Sequence, residues 1–191
     1  MYSFFLYCIF IIGVKNILFK DIFRDNCFIL FIFVLTFLFL SLSSVSAAEY
    51  NFTSSNITDD FQSVIDNDTD DKLVINLDDG DYSLDQINVS RNATIQGKSR
   101  NTKIVGTGNG ILFNIKSNNV KIINLTITGF DTAIQSNNGD LRIDGNNITT
   151  NGISIDIHSV GNDLKGINIE NNIIVSSIAN YNRGGSLYFC S

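Results

Sequence analysis

The chain of 191 residues has no proline and no tryptophan, one histidine, one methionine and three cysteines. Each scarcity excludes something. One histidine cannot build a His-rich metal site, and no cysteine pair accompanies it. Two of the cysteines, Cys8 and Cys27, lie in the apolar N-terminal stretch. Only Cys190 remains beyond position 48, so no disulfide within that part can hold it together. Stability must come from burial and from backbone hydrogen bonds. Positive charge is also scarce. From Glu49 onward, 10 Lys and Arg stand against 17 Asp and Glu, a net charge of −7. Nucleic acid, whose phosphates need clustered cations, is therefore not an expected partner.

What is abundant is isoleucine and asparagine, the two commonest amino acids of the chain. A β-branched side chain packs well on a pleated surface. Asparagine favours turns and tolerates the left-handed backbone region. The combination reads as many short strands joined by tight turns.

Residues 1–48 form a hydrophobic leader. Cys27–Leu42 is an almost unbroken apolar run, preceded by Lys15, Lys20 and Arg24 and followed by Ser43, Ser44, Val45, Ser46, Ala47 and Ala48. A basic region, an apolar core and an A-x-A-like site make a signal peptide, with cleavage expected between Ala48 and Glu49. Residues 1–19 are a second apolar stretch, read either as an extra membrane segment or as translated upstream sequence. An uncleaved anchor is the other reading of the leader, and any membrane contact is expected only there.

Residues 49–72 read as a polar lead-in with one helix, Thr58–Asp66. Thr58 is its cap, Asp59 and Asp60 suit its N-terminus, and Phe61, Val64 and Ile65 share a face. Such a helix either covers the end of a strand array or lies on the surface. From Leu73 to Ser191 the period changes to two, with Gly, Asn, Asp and Ser clusters between short apolar alternations. One frame recurs: Ala93-Thr-Ile-Gln-Gly, Val120-Lys-Ile-Ile-Asn-Leu-Thr-Ile, Leu141-Arg-Ile-Asp-Gly-Asn-Asn-Ile and Ile167-Asn-Ile-Glu-Asn-Asn-Ile-Ile. Its starts fall at positions 93, 120, 141 and 167, and Leu73-Val-Ile-Asn-Leu is an earlier member. That spacing is one turn of a solenoid rather than a sandwich. The fifth column (Gly97, Asn124, Gly145, Asn171) is a bend where Asn side chains are expected to stack.

The runs Asn92–Ser99, Thr102–Gly106 and Asn119–Phe130, with Ile75–Leu84 before them, resemble the opening of pectin-lyase-like right-handed parallel β-helices. The nearest likeness is to adhesin-like cell-surface proteins of methanogenic archaea. That resemblance spans residues 58–178. It implies an all-β, right-handed parallel β-helix and a secreted or cell-surface protein that binds glycans or other cells. Lyases and hydrolases share the fold and are the alternative function. A truncated, non-functional fragment is a third.

No catalytic, metal-binding or cofactor-binding residue is expected. The acid pairs Asp59-Asp60, Asp70-Asp71 and Asp78-Asp79 lie in the helix or in turns rather than on successive strands of one face, where a glycosidase would need them. The hydrolase signatures Asn-Thr-Asp, Gly-His-Gly and Arg-Ile-Lys are absent. Lys121, Arg142 and Asp144 make a thin lyase-like set that reads better as a solvated charged face. Asp66-x-Asp68-x-Asp70 imitates half of an EF-hand loop, but Asp71 stands where glycine is required and Leu77 where the bidentate Glu belongs. His158 and the Gly106-x-Gly108-x-Gly110 run read as surface turns. Of seven N-x-S/T sequons, Asn51 and Asn56 in the lead-in are the candidate glycosylation sites, while Asn124 is expected to be taken up in the stacked column. The last frame ends with no evident cap after Val175. An open apolar cross-section there would call for further rungs or another chain.

Overall fold

A computed structural model describes residues 47–57, 60–158, 165–177 and 185–190. Residues 1–46 of the leader, Thr58 and Asp59 lie outside the described residues, as do 159–164, 178–184 and 191 and the side chains of Asp60 and Cys190.

The chain is a parallel β-helix. Strand β1 (Ala47–Phe52) and helix α1 (Asp60–Asn67) precede five coils of three strands each. The coils are β2 (Lys72–Leu77), β3 (Gly80–Tyr82) and β4 (Ile87–Val89); β5 (Ala93–Gly97), β6 (Thr102–Val105) and β7 (Ile111–Ile115); β8 (Val120–Ile123), β9 (Thr126–Thr128) and β10 (Thr132–Ser136). They continue with β11 (Leu141–Asp144), β12 (Asn147–Thr150) and β13 (Ile155–His158), then β14 (Asn168–Glu170), β15 (Ile173–Ser176) and β16 (Leu187–Cys190). Each strand pairs with its counterpart in the next coil, giving three parallel sheets. The first is β1-β2-β5-β8-β11-β14, the second β3-β6-β9-β12-β15 and the third β4-β7-β10-β13-β16.

The recurring frame is the register of the first sheet. Leu73 pairs with Ala93, Leu141 with Val120, and Arg142 with Asn168. Period two then sends Ile75, Ile95, Ile122 and Ile143 inward as one column, each with no exposed surface. The second sheet contributes Tyr82, Ile104, Ile127 and Ile148, and the third Val89, Phe113, Ile134 and Ile155, all buried. The sheet also reaches further toward the N-terminus than the frame at Leu73. β1 pairs with β2 in register from Ala47↔Lys72 to Phe52↔Leu77 and adds a rung.

Helix α1 lies against β4, the edge strand of the third sheet, and buries Phe61 and Ile65. Val64 packs partly on the same core. Gln62 imitates a neighbouring strand. Its Nε2 donates to Asn88 O at 3.1 Å, and its Oε1 accepts from Asn88 N at 2.9 Å. One side-chain amide thus satisfies both edge groups of a residue that would otherwise invite pairing. The helix is the end cover expected of it.

The bend after the first sheet differs from expectation in one respect. Asn124, Gly145 and Asn171 do take positive φ (54°, 70° and 56°), which Asn and Gly tolerate best. Yet the stacked asparagines stand one column later. Asn146, fully buried, receives Leu125 N on Oδ1 at 2.9 Å and donates Nδ2 to Ile122 O at 3.0 Å. Asn172 repeats the pattern, accepting from Asn146 N at 2.8 Å and donating to Ile143 O at 2.8 Å. The left-handed residue turns the chain, so the following side chain points in along the axis, where backbone groups of the bend need partners. Asn124 itself is exposed.

Candidate ligand-binding groove

Outward positions of the first sheet form their own columns. Asn51 pairs with Asn76, and Asn76 with Gln96. Their amides are linked along the helix axis. Gln96 Nε2 donates to Asn76 Oδ1 at 2.6 Å, and Asn76 Nδ2 donates to Asn51 Oδ1 at 2.9 Å and to Glu49 Oε1 at 2.6 Å. Beside this ladder, at the corner leading to the second sheet, runs a groove of about 300 Å³. The three amides form one wall, Phe52, Leu77 and Gly97 the apolar part, and Asp78 and Lys98 the rim.

The corner is rigid. A Cβ on Gly97 would lie 2.3 Å from Asn124 O, so only glycine lets the neighbouring rung approach. Thr102, fully buried, hangs its hydroxyl beneath Asp78 O and Asp79 Oδ1, both at 3.3 Å. Tyr82 shares its hydroxyl proton between Asp78 O at 2.8 Å and Phe52 O at 3.2 Å, and burial holds its phenol above the usual value. Lys98 Nζ reaches Asp78 Oδ1 at 3.2 Å, both side chains more than half exposed, and Ser99 donates to Asp79 at 2.8 Å. Arg100 crosses the corner to Gly145 O and Asn171 O, each at 2.8 Å.

A second polar column faces outward on the third sheet. Asn114 donates to Asn88 at 3.2 Å and Gln135 to Asp156 at 3.4 Å. His158 is not in a turn. It ends β13, with Nε2 2.6 Å from Asp156 Oδ1 and its ring tilted against Tyr188 at 5.4 Å between centroids. A strand places residues 156 and 158 on one face, which is why the only histidine meets a carboxylate.

The other sequence candidates are accounted for by local partners. Asp68 is bound by Arg91, Tyr50 and Asp70 N, leaving the EF-hand imitation no cage to offer. Among the described residues no group of three or more His, Cys, Asp or Glu is placed to hold a metal. The Gly106–Gly110 run is a turn packed against the next coil, Gly106 N bonding Thr128 O and Gly108 N bonding Gly129 O. Lys121 and Arg142 do pair in register, but Arg142 is engaged by Asp144 at 2.8 Å. Ala48 and Glu49, the expected cleavage junction, lie within β1, Ala48 packed on the core and Glu49 exposed under the Asn76 amide. Asn51 and Asn56 are both exposed, and Asn56 Oδ1 accepts from Thr53 N at 2.6 Å. No helix among the described residues is long and apolar enough to cross a membrane.

Asp144 carries a testable pH dependence. Its hydrogen bond from Arg142, and then that from Asn171, hold its carboxyl below the ordinary carboxylate range. A lowered folded pKa gives a contribution fully present above the unfolded value of about 3.9 and lost as pH falls through the folded one. Asp144→Asn should therefore make the fall in Tm below about pH 4 shallower than in the wild type, measured by thermal melts across that range. An identical slope would remove Asp144 from the acid response.

Compared with known proteins, the chain matches no family model, no curated protein and no solved structure.

Proposed function

We propose that this is an exported, non-catalytic cell-surface protein of the adhesin-like kind, binding glycans or the surfaces of other cells through a face of its β-helix. The observation that carries the reading is the amide ladder Asn51–Asn76–Gln96 along the groove wall. Amides combine donors and acceptors in one planar group, as sugar hydroxyls require, and a rigid sheet holds them in place without a further ordering cost. The signal-peptide pattern and the acidic balance from Glu49 onward agree with a role outside the cell.

Purified protein on a glycan array should show saturable binding without turnover. Asn76→Ala breaks the middle of the ladder and should weaken binding about tenfold, as expected when the two amides it holds lose their placement. Release of reducing ends or unsaturated products from polygalacturonate would overturn the non-catalytic reading in favour of a lyase or hydrolase.

A further inference from the structure

Resting on that glycan-binding reading, we infer that the groove takes an uncharged, hydroxyl-rich oligosaccharide lying along the helix axis, donating to Gln96 at one end and accepting from Asn51 at the other. The bonding of the ladder leaves the groups for these contacts free. Asn76 has no donor left: both Nδ2 hydrogens go to Glu49 and Asn51, and Oδ1 already receives Gln96. The groups with no bond among the described residues lie at the ends: Oε1 and the second Nε2 hydrogen of Gln96, and the Nδ2 group of Asn51. An amide oxygen takes hydroxyl protons, and an amide nitrogen gives its own to a sugar oxygen.

The two ends sit on β5 and β1, two strand spacings apart, about 10 Å. One sugar ring reaches both ends only with both hydrogen bonds fully in line with it, whereas two or three linked sugars lie along the groove and meet both. Charge then selects among glycans. Glu49 and Asp78 are carboxylates, and the cation lining the groove, Lys98, stands 3.2 Å from Asp78. Lys98 and Asp78 balance each other in the lining, and Glu49 on the Asn76 amide beside it leaves the site net negative, so a uronate or sulfated chain meets repulsion there.

The test is calorimetric titration of the full chain with cello- and manno-oligosaccharides from monosaccharide to pentasaccharide, and with oligogalacturonides of matched length. Affinity should rise steeply from mono- to trisaccharide for a neutral series. Oligogalacturonides should bind about tenfold more weakly at low salt, the gap narrowing as salt is added. Asn51→Ala and Gln96→Ala should each cost about fivefold. Both side chains point outward, and an unchanged Tm would confirm that each variant folds. Tighter binding of oligogalacturonides, or unchanged affinity in both variants, overturns the inference while leaving glycan binding intact. A loss seen only in Asn114→Ala would move the site to the third sheet and overturn it in the same way. Binding to no glycan of any class would overturn both the inference and the function it rests on.

Discussion

Ile122→Ala is expected to destabilise the protein by about 3–4 kcal/mol, within the range measured for emptying a fully buried isoleucine site. Ile122 has no exposed surface and stands between Ile95 and Ile143 in the inward column of the first sheet. Neighbours on both sides are held at the strand spacing by parallel backbone ladders, so the column cannot collapse into the space left by the lost methyl groups. Unpaired volume then adds to the lost transfer energy. Against a total stability of about 5–15 kcal/mol this is a large fraction. Ile169 is the useful contrast. It belongs to the same column but is only partly buried, in the last strand of the sheet. In a solenoid each rung is stabilised by its nearest neighbours, so Ile169→Ala should cost less than half as much. Equilibrium denaturation of both variants measures the difference. Equal costs would mean that the column does not behave as a stack of nearest-neighbour contacts.

That column was legible in the sequence because the frame at 73, 93, 120 and 141 is also the strand register. Period two along a strand and a constant rise between strands leave few ways to fold an Ile-x-Ile repeat. Helix α1 was legible for a similar reason, since Phe61 and Ile65 mark its buried face. Strand β1 was not, although Ala48, Tyr50 and Phe52 alternate correctly. Directly after a leader, such a short alternation is masked by the small residues expected at a cleavage site. The asparagine ladder was displaced by one column because positive φ and inward stacking fall on successive residues, and only the bend geometry separates them. The candidate groove was harder still. Asn51, Asn76 and Gln96 follow one another at ordinary rung spacing, but the frame shows itself most plainly on its inward, apolar positions. Extending it to the outward ones reaches the ladder.

Arg91→Ala should cost about as much as the core truncation, about 3–5 kcal/mol, because it strands a buried carboxylate. Asp68 is 6% exposed in its side chain and Arg91 17%, with Nη2 3.0 Å from Asp68 Oδ1. The guanidinium also donates to the backbone carbonyls of Asp68 and Asp70. It thereby ties the turn after α1 to the corner that leads into β5, so the cap and the coil beneath it are joined by one side chain. Tyr50 donates to the other Asp68 oxygen at 3.0 Å, and that bond holds its phenol above the usual value. Without Arg91, Asp68 keeps only Tyr50 and the Asp70 amide, too little for a desolvated charge. Lysine would not restore the site, because a point charge cannot serve a carboxylate and two carbonyls in a fork. A double-mutant cycle apportions the effect. If the stranded charge dominates, Arg91→Ala should cost about 2 kcal/mol less in an Asp68→Asn background than in the wild type. If the cost is the same in both, the carbonyl bonds hold the cap and the ion pair adds nothing of its own.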